Sequence, residues 1–321
     1  MIDSVRLTIF DFDMFKLNWN LIKKKNISKG KSIIIINYKN CELQIYLSSG
    51  YILLITNAHN ILNKNNICVS DLEEVERRIK TILNEIILDG CYSISVNRLD
   101  FYSDVFVQDD LKFKLYRKLL SKHCDNFMYC KSKRNYSSSK HLSTRNSGSR
   151  NFNIYHKYEE QKAKGVNGEQ LEKWKNCIRI ELQYKKMYFK TQYKKYGVLP
   201  TLDNYWNFNS YKSMYLDIFD RYFYYPSRYY KLSLAINIVN SSDLSFTLKK
   251  NINRFLSVVN LVGMENIKKY YNRLRINKFC KILIEELGVC PITLNDTEKI
   301  DSLDNLFELA KQNTIEKGYF N

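Results

Sequence analysis

The sequence predicts an α+β fold: an antiparallel sheet with packed helices, followed by a mainly helical C-terminal region. The N-terminal third contains short apolar segments with the alternation of strands, separated by tight turns. Later stretches place apolar residues at helical spacing. Hydrophobic residues make up 45% of the 321 positions, which is enough for a folded core.

The N-terminal third is expected to form a meander of strands and then a helix. The helix has Ser70 as its candidate N-cap, with Glu73 three residues later as in a capping box. Gly90 is expected to end this helix. The predicted strands before it are residues 5–10, 31–39, 42–48 and 51–56.

The middle of the chain continues with a long strand at 91–107 and a helix at 110–124. The basic, serine-rich stretch 131–150 is predicted to be a loop. Two further strands are expected at 151–160 and 176–186.

Pro200 marks the predicted boundary between a first domain, 1–198, and a second, 199–321. The aromatic stretch 204–230 is expected to pack in the core rather than to stack on bases. The basic C-terminal part is expected either to recognise DNA, the partner that its charge suggests, or to hold the domain together. Its predicted helices lie at about 243–260, 264–287 and 297–312.

The charge balance points to a polyanionic partner. The chain has 51 Lys and Arg against 33 Asp and Glu, a net charge of +18. AT-rich codons account for part of the lysine excess but do not remove acids, so nucleic acid is the favoured partner. No apolar run approaches the ~20 residues of a membrane span. The N-terminus lacks a basic signal segment, so the cytoplasm is the expected location.

The sequence lacks the motifs that are typical of several enzyme classes. No P-loop, GxGxxG or GxSxG is present, and the eight cysteines contain no CxxC pair or zinc spacing. The four histidines include no H-x-H pair, so a nickase that holds its metal with paired histidines is excluded. What remains for chemistry is acids and tyrosines.

Two acids, Asp100 and Glu181, lie inside predicted strands, where a carboxylate is unfavourable unless it is paired or binds a cation. Converging carboxylates form oxygen-rich sites for Mg²⁺ or Mn²⁺. The alternative is ion pairing, of Asp100 with Arg98 and of Glu181 with Arg179. Asp104 shares the face of Asp100 and is a third candidate.

The segment RNFNIYHKYEE places Tyr155 close to Lys157 and to two glutamates. A phenol has a pKa of about 10, and a nearby cation favours the phenolate that could attack a phosphate. On a regular strand Tyr155, Lys157 and Glu159 share a face, and Glu160 points the other way. If one of these glutamates binds a metal ion on the face of Tyr155, it is either Glu159 or, where a bulge turns the strand, Glu160.

A purely basic stretch precedes this tyrosine, and such a serine-rich stretch can contact DNA phosphates through its cations and hydroxyls. No acid occurs from residue 131 to residue 157. The candidate DNA-binding residues are Arg98, Lys131, Lys133, Arg134, Lys140, Arg145 and Arg150.

These landmarks resemble, in order, those of the gene II/gene X replication initiators of filamentous phages and related phage and plasmid proteins. SVNRLDFYSDV is similar to the R-I-D strand of that family, STRNSGSR to its basic loop, and IYHKYEE to its Y-x-K-x-x-E pattern. CIRIELQ is similar to the R-[IF]-E strand and YKKYGVLPTLDN to the following helix and L-P turn. KKYYNRLRINKFCKILIEELGV resembles the C-terminal region, so the resemblance spans nearly the whole chain.

The resemblance implies a replication-initiator or relaxase-like nickase domain that cuts one strand of supercoiled DNA at a replication origin. Tyr155 would be the nucleophile and Lys157 its partner, with Asp100, Glu160 and Glu181 holding Mg²⁺ or Mn²⁺. The product would be a 5′-phosphotyrosyl link and a free 3′-OH that primes synthesis, and later rejoining would release a circle. A host helicase and polymerase are then further candidate partners.

Three other functions stay open at this point. The chain could be a non-catalytic DNA-binding replication or regulatory protein, or the relaxase of a conjugative element. It could also be a metal nuclease that uses the acids alone. Tyr193 and Tyr196, in YKKYG, form a second tyrosine–lysine group and are candidates for a second nucleophile.

Overall fold

A large antiparallel sheet with packed helices forms the protein, as the sequence predicts for its fold class. The computed structural model describes residues 2–29, 32–64, 67, 71–107, 109–120, 122, 127–130, 141–144, 149–216 and 227–316. Within these ranges, no helix combines the length and the apolar character needed to cross a bilayer.

The described residues contribute ten strands to the sheet. They are β1 (Ile2–Phe10), β2 (Asn26–Lys29), β3 (Ile33–Tyr38), β4 (Cys41–Tyr46), β5 (Tyr51–Asn57), β6 (Ser93–Phe106), β7 (Phe127–Cys130), β8 (His141–Thr144), β9 (Arg150–His156) and β10 (Cys177–Lys185). Their order is β2-β3-β4-β5-β1-β6-β10-β9-β8-β7, and every neighbouring pair is antiparallel. A separate two-stranded ribbon pairs β11 (Tyr229–Tyr230) with β12 (Ser302–Leu303).

The α-helices of the described residues fall between the strands and in the C-terminal part. They are α1 (Trp19–Lys25), α2 (Ala58–Leu62), α3 (Leu72–Ile86), α4 (Asp110–Leu120), α5 (Lys157–Ala163), α6 (Gly168–Glu172), α7 (Lys186–Tyr196), α8 (Leu202–Tyr205), α9 (Phe208–Tyr211), α10 (Leu232–Ser241), α11 (Phe246–Asn266), α12 (Arg273–Lys281) and α13 (Leu306–Glu316). Single π-helical turns continue α9 and α12, over Lys212–Leu216 and Ile282–Glu286.

One face of the sheet is apolar and forms the core. Alternate residues of the central strands, such as Leu99 and Phe101 on β6 and Ile180 and Leu182 on β10, are buried on this face. The buried side chains of α3 belong to the same continuous hydrophobic cluster. The opposite face of the same strands is left to polar side chains, and it is this second face that positions the candidate site.

The aromatic stretch at 204–230 packs against the core where the structure describes it, which confirms that prediction for those residues. The rings of Tyr211 and Tyr215 contact the ring of Phe101, with centroids 5.5 and 6.1 Å away. The hydroxyl of Tyr215 donates to the carbonyl of Ile180 at 2.9 Å. These buried hydroxyl and ring contacts fix the helical segment under β6 and β10.

The C-terminal helices make contacts with the first part of the chain near α4. The hydroxyl of Tyr116 donates to the carbonyl of Asp304 at 2.9 Å. Nζ of Lys122 donates to Oδ1 of Asn260 at 2.7 Å and to the carbonyl of Thr293 at 3.0 Å. The division at residues 198 and 199 stays a prediction, since these contacts do not locate a boundary.

Two predictions about the middle of the chain are wrong in their limits. The strand expected at 151–160 ends at His156, and Lys157 begins helix α5. The sequence KYEEQKA explains this, because it contains good helix formers and places two glutamates in the first turn, where the helix dipole favours anions. The expected loop at 131–150 contains strand β8 and the first residue of β9.

The helix limits also differ from the predictions at several places. The helix expected at 264–287 is divided, because Asn272 caps a new helix by accepting from the backbone N–H of Arg275 at 2.9 Å. The last helix begins at Leu306 rather than near residue 297. Helix α3 has Asp71 at its N-cap, and the predicted cap Ser70 lies outside the described residues.

Candidate functional site

Three neighbouring strands bring polar side chains to one face of the sheet, called the polar face below. Strand β10 lies between β6 and β9, and its Arg179 is directly opposite Asp104 on β6 and Tyr155 on β9. Two residues further along β10, Glu181 is opposite Tyr102. Directly opposed residues of antiparallel strands point to the same face, so these five side chains are neighbours.

The hydroxyl of Tyr155 is held by a carboxylate on the polar face. It donates to Oε2 of Glu181 at 2.9 Å. The side chain of Tyr155 is half-buried, and Glu181 is only 7% exposed. Nε2 of Gln183 donates to the other oxygen of Glu181 at 2.5 Å. The phenol oxygen therefore points to a polar, acidic partner and not into apolar packing.

Lys157 and Glu160 form an ion pair within the first turns of α5. Nζ of Lys157 lies 2.7 Å from Oε2 of Glu160, and Lys164 contacts the other carboxylate oxygen. Residues three apart on a helix are neighbours, which brings Glu160 to Lys157 without the bulge that a strand would need. The choice between Glu159 and Glu160 as a functional acid stays open, although Glu160 is the one in contact with Lys157.

The pKa of each member of this pair is lowered, which favours the charged form of Glu160 but not that of Lys157. Burial raises the pKa of Glu160, but the ammonium groups of Lys157 and Lys164 outweigh that effect and hold it at about 2. Burial lowers the pKa of Lys157, and the positive charge of Arg179 lowers it further. The amino group of Lys157 is held next to the tyrosine by its contact with Glu160: its Nζ is 6.0 Å from the ring centroid of Tyr155.

Arg179 is fixed by a buried carboxylate and by an aromatic ring. Its Nε and Nη2 donate to the two oxygens of Asp104, both at 2.7 Å. Its guanidinium lies 3.9 Å from the ring centroid of Tyr102. The structure pairs Arg179 with Asp104 and gives Glu181 the hydroxyl of Tyr155, whereas the sequence suggested a pair of Arg179 with Glu181 as the alternative.

Asp100 is also paired, as the alternative interpretation of the sequence predicts. Arg98 donates to it with Nε at 2.8 Å and Nη2 at 2.6 Å, and the hydroxyl of Ser4 donates at 2.5 Å. The carboxylate is 1% exposed. Arg98, a predicted DNA-binding residue, therefore has a structural role in holding Asp100 on the polar face.

The three predicted metal ligands do not form one cluster. Among the described residues, no three His, Cys, Asp or Glu side chains converge closely enough to hold a metal ion. Asp100 and Glu181 lie on adjacent strands of the polar face, whereas Glu160 is on α5 between two lysines. Carboxylate oxygens suit Mg²⁺ in kind, and this ion is usually held by one or two protein carboxylates with water and substrate phosphates. Asp100 and Glu181 are carboxylates of the kind that this smaller ligand set uses.

The sequence did not identify His59 and Tyr102 as members of the polar face. The hydroxyl of Tyr102 and Nε2 of His59 share a hydrogen bond of 2.7 Å, and Nδ1 of His59 lies 3.0 Å from the carbonyl of Lys64. Period-2 counting along β6 from Asp100 places Tyr102 on this face. His59 has no such signal, because its position depends on the turn that follows β5.

The structure describes only some of the other predicted site residues. Arg150 begins β9, while Tyr193 and Tyr196 lie on α7 and are 52% and 61% exposed. The predicted DNA-binding residues outside the described part of the chain are Lys131, Lys133, Arg134, Lys140 and Arg145.

Comparison with known proteins assigns no family to the chain. It matches no protein-family model, and no curated protein matches it.

Proposed function

We propose that the protein is a sequence-specific single-strand DNA endonuclease that initiates rolling-circle replication of a phage or plasmid by tyrosine attack. The observation that carries this proposal is the contact of the Tyr155 hydroxyl with Glu181, 2.9 Å long, on a sheet face that also holds buried cations. The resemblance of the sequence to gene II/gene X initiators and the net charge of +18 support it. In this proposal, the sheet belongs to a nickase domain, and DNA recognition is the role of the helical part from residue 199.

The proposed reaction is a transesterification. Glu181 accepts the proton of the Tyr155 hydroxyl, and the phenolate oxygen attacks a backbone phosphorus. A bond between phosphorus and the tyrosine oxygen forms, and the bond from phosphorus to the 3′ oxygen breaks. The 3′ oxygen takes up a proton, which leaves a 3′-hydroxyl and a 5′-phosphotyrosyl link. The reverse reaction rejoins the strand.

Charged groups around Tyr155 suit a phosphate at this position. Lys157 stands beside the tyrosine ring, and Arg179 is its direct neighbour across the strand. Asp100 and Glu181 would hold Mg²⁺ or Mn²⁺, which when bound polarises the scissile phosphate and offsets the charge of the leaving oxygen. Glu160 instead keeps Lys157 in place through its ion pair.

The experiment compares two tyrosines that each contact a glutamate. Supercoiled plasmid that carries the cognate origin is incubated with the wild-type protein, Tyr155→Phe or Tyr158→Phe, in Mg²⁺ or Mn²⁺ and in chelator. Tyr158 is the matched control, because its hydroxyl donates to Glu172 at 3.3 Å on the neighbouring helices. We expect Tyr155→Phe to abolish nicking and the covalent protein–DNA adduct on denaturing gels, and Tyr158→Phe to retain both. Mass mapping of the nucleotide-bearing peptide identifies the attacking residue.

Other outcomes separate the alternatives. If Tyr155→Phe nicks as fast as wild type, the proposal is wrong. DNA binding with neither a nick nor an adduct indicates a non-catalytic binding protein, and nicking without an adduct indicates a metal nuclease. A relaxase shares the chemistry and is distinguished by neighbouring genes, coupling and secretion genes rather than coat and assembly genes. Reconstitution with a host helicase and polymerase tests whether the nick is used for replication.

A further inference from the structure

Two aromatic rings lie next to the polar face, just beyond Asp104 and Arg179. Phe106 is at the end of β6, directly opposite Cys177, and this pair follows the pair of Asp104 and Arg179. The ring of Phe106 stacks on that of Trp174, with centroids 6.2 Å apart and planes 18° apart. Two residues of strand correspond to about 7 Å, and the two strand spacings between β6 and β9 to about 10 Å, so Phe106 lies roughly 12 Å across the sheet from Tyr155.

The aromatic pair is accessible in a way that core rings are not. Phe106 is 46% exposed and Trp174 is half-buried, although Phe101 on the same strand is fully buried. A large exposed ring at the end of a strand gains little for folding, because its area remains in contact with water. An exposed stacked pair beside a polar site is therefore accessible to a ligand with flat apolar faces.

Three cations surround the same rings. Nζ of Lys157 and of Lys173 both lie 5.6 Å from the ring centroid of Trp174, and the guanidinium carbon of Arg179 lies 5.8 Å from it. Lysine and arginine around an aromatic platform are typical of proteins that bind single-stranded nucleic acid, where cations follow the phosphates and rings stack on bases. An uncharged apolar partner would gain nothing from these three positive charges.

We propose that Phe106 and Trp174 form a nucleobase-binding subsite that stacks on a base of single-stranded DNA beside the attacked phosphate. This inference rests on the proposed function for the position of the DNA, but the subsite itself binds without chemistry. Stacking tolerates every base, because each base has a flat face. The subsite would hold one unpaired nucleotide and so present the backbone to Tyr155, while sequence recognition comes from elsewhere.

Binding of two short probes tests the proposal. One is a fluorescent 12-nucleotide oligo-dT, and the other is an abasic strand of the same length and charge. Anisotropy is measured in chelator at constant ionic strength, so that no cleavage occurs and the phosphate contribution is equal. The variants are Phe106→Leu and Trp174→Leu, which keep apolar bulk and remove the ring. Phe15→Leu is the control, since Phe15 is 92% exposed in the 3₁₀ turn Met14–Lys16.

The expected result is a selective loss. Phe106→Leu and Trp174→Leu should each weaken oligo-dT binding by about tenfold, within the range of one lost base stack. Binding of the abasic strand should not change, and Phe15→Leu should leave both probes unaffected. Thermal unfolding of each variant by circular dichroism confirms that the fold is retained.

Two results would overturn the proposal. In the first, both ring-deleted variants bind oligo-dT as tightly as the wild type does. In the second, they lose affinity equally for the two probes, which indicates a general change of charge or fold. The proposed function fails separately: base-selective binding that depends on Phe106 can persist when no Tyr155 adduct forms. Conversely, an adduct without base selectivity contradicts only the subsite.

Discussion

Arg179 on β10 and Asp104 on β6 form a bidentate ion pair, with both donor–acceptor distances at 2.7 Å. Both side chains are buried, and in the strand register Tyr155 is directly opposite Arg179 on the other side. The pair therefore fixes the guanidinium of Arg179 close to the rings of Tyr102 and Trp174 and beside Tyr155, the proposed nucleophile. Removal of either partner would leave an uncompensated buried charge beside the site.

The first prediction concerns the stability that depends on this pair. We expect Asp104→Ala to lower the free energy of unfolding by about 3–5 kcal/mol, because it removes the carboxylate that compensates the buried guanidinium of Arg179. Urea denaturation followed by circular dichroism measures the change. The control is Glu298→Ala, whose partner Lys118 is 63% exposed and whose loss should cost less than about 1 kcal/mol. Equal costs for the two variants would contradict the structural role of Asp104.

The second prediction assigns Glu181 as the proton acceptor. Glu181→Gln keeps an oxygen for the Tyr155 hydroxyl but removes the basic carboxylate. We expect the nicking rate to fall by about 10²–10⁴-fold, with DNA binding retained, since loss of a general base costs this much. Single-turnover nicking of supercoiled plasmid measures it. Glu172→Gln makes the same change in the partner of Tyr158 and should nick normally. A normal rate for Glu181→Gln would exclude Glu181 both as proton acceptor and as metal ligand.

The third prediction is a dependence of stability on pH. The pKa of Glu160 in the folded protein is about 2, below the ordinary value of 4.5. A lowered carboxyl pKa stabilises the fold above the unfolded value, so this stabilisation is complete above about pH 5 and is lost as the pH falls towards 2. Its size is about 3 kcal/mol.

The measurement is the difference in unfolding free energy between wild type and Glu160→Gln, taken at several pH values. This difference should be largest near neutral pH and should shrink steadily between about pH 5 and pH 2. Groups that titrate in both proteins, such as His156 with its pKa lowered to about 4 by burial, cancel in the difference. A difference that does not change with pH would show that Glu160 is not ion-paired in solution.

The fourth prediction concerns the break in α11. Gly263 has φ 75° and ψ 164°, a conformation almost restricted to glycine. A Cβ added there would also lie 3.4 Å from the carbonyl oxygen of Lys122. We expect Gly263→Ala to destabilise the protein by about 1–3 kcal/mol. Gly165→Ala, at φ 85° with no atom within 4 Å, should cost less, because it meets no neighbour. The thermal unfolding midpoints of the two variants should therefore differ.

Local patterns determined much of this fold in advance. Alternation at period 2 was sufficient to predict the strands of the N-terminal meander, the long strand β6 and strand β10. It also placed Asp100 and Asp104 on one face, as the structure has them. A helical stripe was sufficient for α3. These features follow from the local period of apolar and polar residues, so the sequence by itself determines the class of fold and the polar character of one sheet face.

The partners of the polar side chains were decided only by the tertiary structure. The register of β10 between β6 and β9 allows Arg179 to form an ion pair with Asp104 and Glu181 to accept a hydrogen bond from Tyr155. The sequence also allowed Arg179 to pair with Glu181. The start of a helix at Lys157 turned Glu160 towards it. Strand register and helix ends depend on packing across distant segments. That packing is not encoded in any local period, so composition and spacing could identify these polar residues but not their partners.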